Sequence, residues 1–164
     1  MVVFGLYDSN FIVAGLSNGT SSWYGNEIVD SENAIAQAYE FGAPDLAAVT
    51  SDDTMTLFYQ ANSGAIGVLT FTNDSRPSDS TIPTSSTETP NIVTGIAAVG
   101  WTGGHLRAYY QAMDGTLYEA AYDGQWVVKP LPVFTSVKDQ TPIAAASKVD
   151  SAGVSHSLKH TNAY

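Results

Sequence analysis

The sequence contains no cysteine. Disulfides, thiolate-bound metals and cysteine nucleophiles are excluded outright. Basic residues are also scarce: 6 Lys and Arg stand against 16 Asp and Glu, for a net charge of −10. Residues 1–75 carry nine carboxylates and no Lys or Arg, while the other 89 residues carry seven carboxylates and all six bases. Phosphate binding needs clustered cations, so neither nucleic acid nor an anionic membrane surface is an expected partner. No apolar run approaches the roughly 18–20 residues of a spanning helix, and membrane insertion is not expected. MVVFGLYDSN lacks a basic n-region, so no signal peptide is read and the compartment stays open between secreted and cytoplasmic.

Helix signals are almost as rare. A short helix over 31–41 (SENAIAQAYEF) is the best candidate, with Asp30 or Ser31 as cap and Ile35 and Tyr39 four apart. What fills the chain instead is short β-rich runs: VVFGLY, TMTLFYQ, AIGVLTF, LRAYYQ, TLYEAAY and QWVVKPL among them. They are separated by SN, NG, DD, NSG, TGG, MDG and DG, the residues that tight hairpins need. With 44% hydrophobic and 13% charged residues, the 164-residue chain can bury one core or a short array of units. From Ser75 to Pro90, nine of sixteen residues are Ser or Thr and three are Pro. This composition predicts a long exposed loop, mobile and dispensable for folding.

The chain repeats itself with a period of about 50 residues. DLAAVTSDDTMTLFYQANSGAIGVLTF (45–71) aligns with GIAAVGWTGGHLRAYYQAMDGTLYEAAY (95–122). Tyr59-Gln60 falls on Tyr110-Gln111, Gly64 on Gly115, and Ala47-Ala48-Val49 on Ala97-Ala98-Val99. A third start at 141–157 sets Ile143-Ala144-Ala145-Ala146 against Ile96-Ala97-Ala98-Val99. The N-terminal VVFGLYDSNFIVAGLSNGTSSWYG reads as the back half of such a unit. Units of this length with three or four antiparallel strands predict an all-β fold of propeller-type blades, about three per chain, with a β-sandwich as the alternative. The expected division is a partial blade at 1–44, a degenerate blade at 45–90 carrying the 75–90 loop, a complete blade at 91–135 and a partial blade at 136–164. Because propellers close with roughly four to eight blades, about three cannot close alone, and a homo-oligomer, most simply a dimer, is expected.

Most catalytic patterns fail on context. Gly15-Leu16-Ser17-Asn18-Gly19 has the G-x-S-x-G form, but no helix follows and no α/β alternation exists. His156 and His160 suit a metal on a helix, whereas on a strand they stand about 13 Å apart. Asp52-Asp53 lies in a turn, and spacing alone does not make two carboxylates converge. Asn18-Gly19-Thr20 and Asn73-Asp74-Ser75 have the form of glycosylation sequons. No catalytic residue, metal ligand or cofactor is expected.

The sharpest constellation is Arg107, Glu119, Tyr122 and Trp126 in the 95–130 unit. A hairpin turn at Asp114-Gly115 separates Arg107 from Glu119. Guanidinium donors and a carboxylate acceptor can ring vicinal hydroxyls, and an aromatic face suits the C–H face of a sugar. A cross-strand salt bridge with packed aromatics would use the same residues. Trp101 joins the set as a further candidate ligand-binding aromatic.

The run LRAYYQAMDGTLYEAAYDGQW resembles the blade motif of the fungal and bacterial fucose-specific lectins of the Aleuria aurantia type. In that motif Arg sits in an aromatic strand ending in Gln, followed by a DG turn, Leu or Ile, Glu and aromatics ending in Trp. Arg107, Tyr109, Tyr110, Gln111, Asp114-Gly115, Leu117, Glu119, Tyr122 and Trp126 fill it, with Tyr122 where Trp is usual. The resemblance implies a non-enzymatic lectin whose partners are fucosylated glycans, with Arg107 and Glu119 binding hydroxyls and aromatics packing on the methyl group. Elsewhere the motif is broken. Thr56 and Val68 replace Arg and Glu in the 45–71 unit, Val13 or Ala14 replaces Glu near the N-terminus, and Val154 or Ser155 is what the C-terminal unit offers. One intact site is therefore expected, and a blade scaffold without sugar binding is the alternative.

Overall fold

The computed structural model describes residues 2–7, 11–17, 23–27, 45–72, 78–139, 141–150 and 153–160. Every regular element among them is a strand. The candidate helix at 31–41 lies outside the described residues. Four antiparallel sheets follow one another along the chain. The first comprises β1 (Val2–Tyr7), β2 (Phe11–Ser17) and β3 (Trp23–Glu27). The second comprises β4 (Leu46–Ser51), β5 (Thr54–Gln60), β6 (Ile66–Phe71) and β7 (Ser78–Thr81). The third comprises β8 (Ile96–Trp101), β9 (His105–Gln111), β10 (Leu117–Tyr122) and β11 (Trp126–Pro130). The fourth comprises β12 (Ile143–Asp150) and β13 (Gly153–His160).

Each sheet pairs its strands in sequence order, and the sheets meet through their first strands: β1 lies against β4, β4 against β8, and β8 against β12. This is the arrangement of propeller blades around an axis, not of two sheets face to face. The inner strands are rich in small residues (Ala47-Ala48, Ala97-Ala98, Ala144-Ala145-Ala146) because they crowd toward that axis. A methyl group on Gly100 of β8 would come within 3.1 Å of the Thr50 carbonyl oxygen of β4. The second sheet is covered on both faces. Phe58, Ile66 and Val68 pack against Ile96, Ala108, Tyr110 and Ala120 of the third, while Leu57, Tyr59 and Leu69 pack toward Phe4 of the first. That explains why β5 reads as a continuous apolar run instead of an alternating one.

The repeat has a hydrogen-bonded basis. In one hairpin Ala61 N–H donates to Ala65 O at 2.8 Å and Gly64 N–H to Ala61 O at 2.8 Å. In the next, Ala112 N–H donates to Thr116 O at 2.9 Å and Gly115 N–H to Ala112 O at 3.0 Å. Gly64 and Gly115 take φ of 84° and 79°, a conformation that glycine adopts without steric cost.

Two sequence expectations are corrected here. The first concerns 75–90. Far from being loop throughout, it supplies β7, which pairs with β6, and Ile82, which is buried in the main core. Beyond it, Tyr110 Oη donates to Glu88 O at 3.0 Å, Tyr118 Oη donates to Thr87 O at 3.4 Å, and Pro90 bridges to Ala112. The strand escaped notice because all four residues of β7 are exposed at a sheet edge, so no apolar alternation marks it. Replacing 75–90 by a short Gly/Ser turn is therefore expected to lower the melting temperature by about 10 °C or more, since burying an Ile side chain alone is worth about 2–4 kcal/mol. A thermal melt within a few degrees of the parent would show the segment to be dispensable after all.

The second correction concerns the termini. Tyr7 pairs with Phe11 and Ser17 with Trp23, as Trp101 pairs with His105 and Gln111 with Leu117. The first described sheet thus begins at an inner strand and not partway into a unit. Val13 holds the place of Arg107, and Gly25 holds that of Glu119. Likewise Ala146 pairs with Ser157 as Val99 pairs with Arg107, so Ser157 holds the Arg place instead of Val154 or Ser155. The matching of turn lengths, three residues and then five, overrides the coincidence of a Trp after a turn.

Candidate functional site

Side chains of paired residues in an antiparallel sheet share a face, and successive residues alternate. In the third sheet Arg107 pairs with Val99 and Ala121, and Glu119 with Tyr109. Trp101, His105, Arg107, Tyr109 and Glu119 therefore stand on one face. Tyr122 pairs with Leu106 and with Trp126, which places both aromatics on the opposite face, toward the second sheet. The five candidates thus divide: Arg107, Glu119 and Trp101 come together, while Tyr122 and Trp126 do not join them.

On the first face Arg107 is the centre. Its Nη1 and Nη2 donate to Asp123 Oδ1 and Oδ2 at 3.0 and 2.9 Å, a bidentate pair. Nη1 also donates to Leu106 O at 2.8 Å. Nε lies 4.0 Å from Glu119 Oε1, and the guanidinium carbon lies 4.8 Å from the Trp101 ring centre. Glu119 Oε2 accepts from Tyr109 Oη at 3.0 Å. Burial, then the Glu119 charge, pushes the Tyr109 phenol far up, so it stays a donor. His105 stacks on Trp101 at 5.5 Å, and its Nδ1 lies 2.5 Å from Asp123 Oδ1. Hydrogen bonds from Arg107 and then His105 hold the Asp123 carboxyl below its usual range. The Arg107 and Glu119 side chains keep 13% and 19% of their accessible surface, so both still reach solvent. Sequence reasoning missed Asp123 and His105. The signal for them was available, because the turn at Asp123-Gly124 returns beside the Arg107 strand.

On the opposite face, Trp126 meets Phe58 edge-on at 6.1 Å and Tyr122 at 5.1 Å. Tyr122 and Trp126 wall a cleft of about 310 Å³ between the second and third sheets. Among the described residues no group of three or more His, Asp or Glu could hold a metal ion. His156 and His160 both lie in β13, opposite Ser147 and Ile143.

Residues 91–157 match the family model of the fungal fucose-specific lectins. The resemblance read from the Arg107-to-Trp126 run therefore holds. Comparison with curated protein sequences gave no match. Among solved structures, AofleA from Arthrobotrys oligospora aligns with a TM-score of 0.77 and 18% identity, over 97% of this chain and 46% of that one. An Aleuria aurantia lectin variant in complex with α-methyl-L-fucoside aligns with a TM-score of 0.72 and 19% identity, over 98% of this chain and 49% of that one. The Aleuria aurantia lectin described as a six-bladed β-propeller aligns with a TM-score of 0.67 and 20% identity, over 98% and 49%. These likenesses establish the fold, and the chain spans about half the length of the structures it matches.

Proposed function

We propose that this protein is a non-catalytic lectin that binds L-fucose-containing glycans through Arg107, Glu119 and Trp101. The observation that carries the reading is the meeting of a guanidinium, a carboxylate and an indole on one sheet face, within the segment that matches the lectin family. Arg107 offers charge-assisted donors, Glu119 accepts from hydroxyls, and Trp101 gives an apolar face to a C–H or methyl group. Asp123 and Tyr109 orient the two charged groups, which lowers the entropy lost on binding. Tyr122 and Trp126 are not part of this constellation, being on the other face. Titration of α-methyl-L-fucoside by calorimetry tests the reading: saturable heat is expected, and its absence at millimolar sugar refutes it. A scaffold without sugar binding has one observation in its favour, since the Asp123 carboxylate already occupies the guanidinium fork.

The proposal extends to assembly. The described sheets form an arc in which each inner strand meets the next, and the solved propellers it matches are about twice as long. Two copies of the arc sharing one closed ring would cover the terminal blade faces and edges. Light scattering on the purified 164-residue chain is expected to give twice the mass of one chain. A single-chain mass at micromolar concentration refutes the shared ring.

A further inference from the structure

The guanidinium fork of Arg107 is already filled. Nη1 and Nη2 donate to the two carboxylate oxygens of Asp123, and Nη1 donates in addition to Leu106 O and, at 3.4 Å, to Tyr122 O. A guanidinium carries four of its five N–H donors on these two atoms, so a hydroxyl that seeks the fork meets Asp123 first. Of the two partners, the arginine is the fixed one. Its side chain keeps 13% of its accessible surface and lies between Glu119 and the Trp101 ring, whereas Asp123 keeps 49%. Asp123 opens the three-residue turn between β10 and β11, in which Gly124 takes φ of 95°. It also has a partner outside the fork. An ionised carboxylate only accepts, so His105 Nδ1 donates to its Oδ1. A rotation of the Asp123 side chain toward His105 and water frees both Nη atoms and keeps one of its hydrogen bonds.

We infer that Asp123 is an internal competitor for the Arg107 fork: its carboxylate stands where sugar hydroxyls would bind, and it swings out toward His105 and water when a sugar enters. The inference rests on the lectin reading of Arg107 and concerns what sets the affinity of that site. The bond that aims the empty guanidinium is the one a ligand displaces. Once it is gone, Leu106 O, Glu119 and the Trp101 ring still hold the group in place. Displacement costs little, because an ion pair whose carboxylate is exposed to water contributes little. It still subtracts from every sugar complex, since the fork cannot serve two acceptors at once.

Two readouts separate this competition from the lectin reading. The first uses no sugar. Butane-2,3-dione condenses with the two terminal nitrogens of a guanidinium, so its rate of addition reports whether the fork is open. Peptide mass spectrometry follows the addition at Arg107, with Arg76 as internal reference. Addition is expected to be about threefold faster or more in Asp123→Ala than in the parent. The second readout is calorimetric titration of α-methyl-L-fucoside, which is expected to bind Asp123→Ala about threefold more tightly or better. A purely structural ion pair would act the other way, since its loss loosens Arg107 and weakens the sugar. Asp123→Ser keeps a turn-forming residue and serves as the second variant if alanine disturbs the hairpin. Equal rates of dione addition overturn the inference, whatever the sugar does. So does a fucoside affinity that is unchanged or lower in a folded variant with an open fork. Faster addition with no fucoside bound by parent or variant keeps Asp123 as the occupant of the fork and overturns the lectin reading alone.

Discussion

Arg107→Ala is expected to abolish binding of α-methyl-L-fucoside while the fold survives. Each hydrogen bond to a charged group contributes about 1.5–3 kcal/mol, and about 1.4 kcal/mol is tenfold in affinity. Losing two such bonds therefore weakens binding by a hundredfold or more, beyond what a monosaccharide complex can spare. The fold has little reason to suffer. Arg107 leaves behind Asp123, on an exposed turn, and His105, at the start of β9, whose side chains keep 49% and 39% of their accessible surface and can be solvated, and the alanine meets Val99 and Ala121 across the sheet. Calorimetry with the circular dichroism spectrum as control decides the matter. Unchanged sugar affinity in a folded variant would remove Arg107 from the site.

Gln111→Ala is expected to cause the largest loss of stability. Its side chain is fully buried, and Nε2 donates to Val137 O at 2.7 Å and Lys138 O at 3.1 Å, on the strap that leads to β12. Gln60, at the equivalent place, donates to Asn91 O at 2.7 Å and accepts from Thr94 N–H at 3.3 Å, on the strap that leads to β8. The two glutamines thus fasten each blade to the start of the next. Alanine strands the carbonyl of buried Val137, at about 1–3 kcal/mol, and leaves a void, while Lys138 O keeps the Thr141 hydroxyl. The sum, about 3–5 kcal/mol, is a large part of a typical total of about 5–15 kcal/mol and lowers the melting temperature by roughly 10 °C. Gln111→Leu refills the volume without the hydrogen bonds and should remain well below the parent. A melting point of Gln111→Ala within 2 °C of the parent, on the scale of about 2–4 °C per kcal/mol, would show that the strap is held by other contacts.

The Tyr-Gln pair was legible as a repeat long before its purpose was. Its spacing, with the Gly64 and Gly115 turns, identified the blades because local chemistry recurs in sequence: a hairpin needs its positive-φ residue wherever it stands. Composition also removed thiol chemistry and made phosphate partners unfavourable, since both depend on residue types that are absent or few. Strand β7 was not legible, because Ser78-Asp79-Ser80-Thr81 forms a strand through backbone pairing with β6 and not through its side chains.

The sequence by itself determined the all-β blades, their period and the identity of Arg107 and Glu119 as a polar pair, because each follows from residues within one hairpin of one another. Only the tertiary structure decided which partners those residues meet. A one-residue difference in strand parity separates Trp101 from Tyr122, and parity acts through register, which the pairing of whole strands fixes. The structure therefore sends Trp101 to the Arg107 face, and it sends Tyr122 and Trp126 across the sheet to Phe58 and to the cleft lined by Thr56. The contact of Trp126 with Phe58 joins residues 68 positions apart, and no local pattern in the chain records which neighbouring sheet a face will meet.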